Sequence, residues 1–125
     1  MKIQYYSIPS FNEVYLEDSF VLSIVKSNDS VEILVEAVLR EHHPKYNSPK
    51  PGEQYCYKKG RLLFKGITQH SWLEKIMKPI KDIDGEVDYG NIDWFYLEDG
   101  HYRIGGEWGE LDIISDEPIF SLIEE

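Results

Sequence analysis

Residues 93–114 alternate aromatic or aliphatic side chains with polar ones on either side of Asp99-Gly100. Period two marks half-buried strands, and Asp-Gly between two such runs predicts a tight β-hairpin. The second arm carries Gly105-Gly106-Glu107-Trp108-Gly109. Glycines around a Trp inside a strand pattern predict a bulge or bend, where glycine allows positive φ and the close approach of another backbone or a ligand.

The same reading extends along the chain. Lys2–Tyr6 is a first strand candidate, and Asn12–Leu16 is another. Phe20, Leu22 and Ile24 alternate ahead of the turn cluster Ser27-Asn28-Asp29-Ser30, whose Asn and Asp tolerate left-handed geometry. Val31, Ile33, Val35, Ala37 and Leu39 then take the odd positions, which predicts a long hairpin over 19–40. Residues 41–53, with three Pro and one Gly, form a loop of the length that is often functional. A second hairpin is expected over 54–65, turning at Lys59-Gly60. Residues 71–78, SWLEKIMK, predict a short α-helix. Ser71 and Glu74 have capping-box spacing, Trp72/Ile76 and Leu73/Met77 sit four apart, and Pro79 ends it. Residues 80–92 read as an acidic connector, 115–118 as a turn and Ile119–Ile123 as a closing strand.

These elements predict one mainly β domain over 1–125: an antiparallel β-sandwich or partly open barrel of about seven strands with the helix at 71–78. Phe20, Leu22, Ile24, Ile33, Val35, Leu63, Trp94, Leu111 and Ile113 are its expected core. At 125 residues such a domain buries a core without disulfides or metal. No apolar run approaches the ~20 residues that span a bilayer, and residues 1–25 lack a signal-peptide pattern. With Cys56 the single cysteine, the cytoplasm is the expected compartment.

Charge changes the picture most. The net charge is −10, and it is segregated. Residues 51–81 hold seven basic and two acidic side chains; residues 82–125 hold fourteen acidic and one basic, Arg103. Such asymmetry argues against nucleic-acid binding by the whole surface and leaves open a basic protein partner, a cation or mimicry of nucleic acid, with solubility alone the favoured reading.

Pro51-Gly52-Glu53 running into Tyr55-Cys56-Tyr57, the stretch from Gly85 through Asp88 and Gly90 to Asp93, and Gly106-Glu107-Trp108-Gly109-Glu110 resemble a family of small uncharacterised bacterial proteins. The resemblance covers most of residues 31–122. It implies a bacterial origin and a single-domain, β-rich fold, and it carries no established activity or catalytic residue. Several such proteins are suspected immunity or accessory factors.

Candidate chemistry is confined to acids, aromatics and isolated nucleophiles. Asp82, Asp84, Glu86 and Asp88 are candidate oxygen ligands for a hard cation. The calcium-loop pattern needs glycine at its sixth position, whereas here Gly85 falls at the fourth and Asp93 replaces the terminal Glu. Solvated loop carboxylates are the favoured reading, and no metal or cofactor is expected. The four histidines show no zinc spacing, and Cys56 between Tyr55 and Tyr57 reads as a quiet, half-buried thiol. Phosphate-binding loops and Gly-x-Ser-x-Gly are absent from the sequence. Glu107, Trp108, Glu110, Asp112 and Tyr102 form the candidate binding surface. Glu110 and Asp112 share strand parity at roughly 6–7 Å separation. An aromatic beside two carboxylates also fits a glycosidase site.

The function expected is therefore a non-enzymatic acidic binding module of immunity or accessory type. A small metal-dependent or carboxylate-using hydrolase is the alternative. A homodimer burying Trp94, Tyr96, Tyr102 or Trp108 is a third expectation.

Overall fold

A computed structural model of the chain describes residues 1–81 and 85–123. The described residues form eleven strands: β1 Lys2–Gln4, β2 Val14–Lys26, β3 Ser30–Leu39, β4 Cys56–Lys65, β5 Gln69–Lys75, β6 Ile80–Lys81, β7 Val87–Asp88, β8 Ile92–Glu98, β9 His101–Gly106, β10 Gly109–Ile114 and β11 Ile119–Leu122. One sheet runs β1-β8-β9-β10-β5 and the other β11-β4-β3-β2, all neighbours antiparallel, with β6 and β7 a separate small pair. The expected antiparallel β architecture is present, as two open sheets and not a closed barrel. Strands number eleven where about seven were expected, because short segments pair at the sheet margins.

The Asp99-Gly100 hairpin joins β8 to β9. Both turn residues have positive φ, 52° and 79°, the backbone form that matches the right-handed twist of the arms. The hairpin expected over 19–40 is β2 and β3, with β2 beginning earlier, at Val14. The closing strand is β11.

Between the sheets lies an aromatic core. Phe95 stacks parallel to Tyr5 at 6.0 Å and meets Phe11, Phe64 and Tyr102 edge-on or tilted. Two single 3-10 turns, Tyr5–Ser7 and Pro9–Phe11, carry Tyr5 and Phe11 into it. The buried Tyr5 hydroxyl donates to Glu17 and accepts from the Leu16 N–H at 3.0 Å.

Four expected core residues, Ile33, Val35, Leu111 and Ile113, are fully buried. The other five are not, and each has a local cause. In β2 the register with β3 slips between Tyr15 and Phe20 and again between Val21 and Ser23. These bulges bury Val14, Leu16 and Val21 and leave Phe20, Leu22 and Ile24 only partly covered. In β8 the register slips between Ile92 and Trp94, so Phe95 faces inward and Trp94 outward. Leu63 faces outward because β4 runs unbroken through Lys59-Gly60, burying Leu62 and Phe64. That continuous strand replaces the expected hairpin. Gly60 marks the spot where the Phe120 ring lies on the backbone: a Cβ there would sit 2.7 Å from the ring.

Of the helix expected at 71–78, residues 71–75 are instead part of strand β5, and 76–78 follow it without regular structure. An eight-residue segment falls short of the ~12–15 residues an isolated helix needs, so tertiary pairing decides its form. Here it pairs with β10 from Gly109 to Ile114, and Trp72 meets Trp108 edge-on at 6.0 Å. The capping-box spacing of Ser71 and Glu74 is therefore unused.

The larger β2 bulge is closed by Ser19, a fully buried hydroxyl. It donates to the Tyr15 carbonyl at 2.7 Å and accepts from the Val38 N–H at 3.0 Å, replacing the ladder bond that the bulge removes. Ser19→Ala leaves that N–H buried without an acceptor, so urea unfolding should show a loss of about 1–3 kcal/mol. An unchanged midpoint would refute this role for the hydroxyl.

Candidate functional site

The outward face of the five-stranded sheet gathers most of the residues singled out above. Its registers align Tyr96, Arg103, Asp112 and Ser71 in one row across β8, β9, β10 and β5, and Trp94, Gly105, Glu110 and Glu74 in the next. Glu110 and Asp112 thus share a face, as their parity predicts. Asp112 is only 7% exposed and both its oxygens are engaged. Oδ1 lies 2.7 Å from His101 Nδ1, and Oδ2 lies 3.4 Å from an Arg103 guanidinium nitrogen. Held this way, the carboxylate ties β9 to β10.

Glu110 Oε2 accepts the Trp94 indole N–H at 2.9 Å. The Trp94 ring lies flat over Gly105, where a Cβ would meet it at 2.3 Å. Glu107 is exposed at the β9–β10 turn, its stem packed on Gly90. Trp108 and Tyr102, the aromatic members of the candidate surface, face inward and are 0% and 6% exposed. They are core residues, already buried within one chain, and the open aromatic of this face is Trp94. His101 and Arg103 belong to the face and were not singled out from sequence as binding residues; Trp94, expected in the core or in a homodimer interface, belongs to it too. The Trp–Gly pairing across β8 and β9 is the feature that points to Trp94, once the register is known.

Of the candidate cation ligands, Asp82 and Asp84 lie outside the described residues. Asp88 accepts the Gly90 N–H at 2.8 Å, an Asx-type contact inside the loop. Among the described residues no three His, Cys, Asp or Glu side chains come together as a metal site. Of the acids beside Trp108 in the glycosidase reading, Asp112 is committed to His101 and Arg103.

The loop at 41–53 walls two grooves on the other sheet, with Tyr46 lining both. The first, about 690 Å³, has Tyr15, Tyr55 and Cys56 among its lining. The Arg40 guanidinium sits 5.1 Å over the Tyr15 ring, and the Asp18 carboxylate beside Tyr55 pushes its phenol pKa up. Cys56 is 5% exposed and its sulfur accepts the Asn47 N–H at 3.4 Å, which suits the quiet thiol expected. His43 Nδ1 accepts the Lys45 N–H at 3.0 Å, and burial lowers the His43 pKa. The second groove, about 710 Å³, contains Glu36, whose carboxyl pKa is raised by burial first and then by Glu86.

No family model, curated protein or solved structure matches the chain. Among the described residues no helix is long and apolar enough to cross a membrane.

Two measurements follow. Asp112→Asn removes the anion that His101 and Arg103 share, and urea unfolding at neutral pH should show a loss of about 1–3 kcal/mol. Because the Glu36 pKa is raised in the fold, its contribution is fully present below the unfolded carboxyl value and is lost as pH rises through the folded one. Glu36→Gln should therefore raise the unfolding midpoint at pH 7 and leave it unchanged in acid. A stabilisation of equal size at both pH values would contradict this.

Proposed function

We propose that this chain is a non-enzymatic binding module whose five-stranded sheet docks a basic protein partner. An immunity-type factor that blocks a cationic toxin in the cytoplasm is the concrete form. The observation that carries the reading is how the cations of this sheet are used. Arg103, the one basic residue in 82–125, is held by Asp112. Lys2 and Lys75, on the two edge strands, lie over the rings of Tyr96 and Trp72 at 4.4 and 5.6 Å.

The remaining carboxylates have little to balance them. Glu110 faces Glu74 directly across β10 and β5, and like charges in that position repel. Asp93 near the start of β8, Asp99 in the β8–β9 turn and Glu107 in the β9–β10 turn are exposed. A partner presenting Lys or Arg would relieve this repulsion, and the field would speed and orient its approach. Trp94 supplies a half-exposed aromatic anchor among these acids, the side-chain type that dominates interface energetics.

Affinity capture from a lysate of the source cell, at low and high salt, tests the reading. Wild-type chain should retain one stoichiometric basic protein at low salt and lose it as salt rises. The triple variant Glu74→Gln, Glu107→Gln, Glu110→Gln spares the Asp112 clamp. Three rim charges at ~0.2–1 kcal/mol each should weaken binding about tenfold. Retention that ignores both salt and the triple substitution would overturn the proposal.

A further inference from the structure

In a chain of net charge −10, four lysines converge on one groove. β11 pairs with β4 only between Leu63 and Gly60, and beyond it a single bond follows, from the Ile123 N–H to the Lys59 carbonyl at 2.9 Å. The edge of β4 from Cys56 to Lys59 therefore has no strand beside it and opens into the groove of about 710 Å³ under the 41–53 loop.

Lys58 and Lys59 come from the strand, and Lys45 and Lys50 from the loop above it. No salt bridge to a described residue engages any of the four. The carboxylate among the lining residues is Glu36, which faces Lys59 across the β3–β4 ladder. Among the described residues, Lys45, Lys50 and Lys58 have no partner carboxylate in the groove lining, while Glu86, Glu53 and Asp88 lie near enough to Glu36 to raise its carboxyl pKa.

The backbone adds a donor. The Val38 N–H is turned towards β2, where Ser19 accepts it, so Val38 and Tyr57 are a pair that exchanges no ladder bonds. By the alternation of antiparallel ladders, the Tyr57 N–H then points to the unpaired edge. Tyr46, Tyr57, Leu122 and Ile123 also line the groove. Tyr57 is braced by Tyr55 at 6.1 Å and Phe20 at 6.0 Å.

We infer that this groove binds a small polyanion bearing a planar ring, of the nucleoside di- or triphosphate class. Lysines and the strand-edge N–H hold the phosphates, and the tyrosine rings take the base. The volume lies in the range of small-ligand sites, roughly 300–1,000 Å³. A nucleic-acid strand leaving the groove would run over a chain of opposite preference, since the surface at large is acidic. The sequence holds no glycine-rich phosphate loop, so recognition here is by converging side chains.

Calorimetric titration of the full chain with ATP, ADP, adenosine, tripolyphosphate and a thymidine oligonucleotide tests this, beside thermal unfolding with each. ATP should bind at one site per chain, raise the midpoint, and bind more tightly than adenosine or tripolyphosphate alone. Lys45 and Lys50 are exposed and lie outside the strands, so Lys45→Gln with Lys50→Gln should keep the unliganded midpoint while ATP affinity falls about tenfold or more. The inference is overturned if ATP neither binds nor shifts the midpoint, or if the double variant binds it as well as wild type. Tripolyphosphate matching ATP would remove the role of the rings. Tighter binding of the oligonucleotide per site would replace the small ligand with a strand.

Discussion

The buried side chain and backbone of Trp108 hold three separate segments in one place. Its indole N–H donates to the Asn91 carbonyl at 3.1 Å, fastening the start of β8. Its own carbonyl accepts from the N–H groups of Ile76 and Met77, each at 3.0 Å, fastening the end of β5. The neighbouring glycines make this possible. A Cβ on Gly106 would lie 2.0 Å from the Asn91 oxygen, and one on Gly109 would lie 2.3 Å from the Glu74 oxygen. Side chains at either position would push the crossing backbones apart, and the order β8-β9-β10-β5 would lose its fastening.

Once those strands are pinned, the chemistry of the molecule divides between its two sheets. One sheet turns carboxylates outward and spends its cations on Asp112 and on aromatic rings. The other turns lysines towards a groove that the 41–53 loop builds over an unpaired strand edge. Segregation of charge along the sequence thus becomes separation in space, because 82–125 supplies three adjacent strands of the first sheet while 51–65 supplies a central strand of the second. Aromatic side chains serve both surfaces, Trp94 on the acidic face and Tyr46 and Tyr57 at the lysine groove.

What could be read from sequence was local. Asp99-Gly100 announces its hairpin because the turn's two positive φ values need those residue types. Ser27–Ser30 and the odd-position run from Val31 to Leu39 announce another, whose turn takes no positive φ and is closed by the Ser27 N–H on the Ser30 carbonyl at 2.8 Å. The parity of Glu110 and Asp112 was legible too, since no bulge divides them from their β9 partners. What failed was decided at a distance. A single extra residue near Asp93 exchanges the facing of Trp94 and Phe95, and nothing in the local pattern marks it. Residues 71–78 carry a plausible helical pattern, and only the presence of β10 and Trp108 makes 71–75 a strand. Gly60 resembles a turn residue until Phe120, sixty residues later, is seen lying on it. The lysine groove was visible only as net charge, because its walls come from a loop, a strand and the end of the chain.

The bulges in β2 also bear on how the molecule lives among copies of itself. An open sandwich leaves strand edges that can template edge-to-edge growth into aggregates. Here β1 is three residues long, and β11 is four and has its Phe120 N–H taken by Ser10 at 2.9 Å. The thirteen-residue β2 is the edge most exposed to the hazard. Its register breaks at two places, and at Val21 its edge is bonded to Tyr89 and Gly90. No long, flat run of free backbone remains on it for another chain to extend.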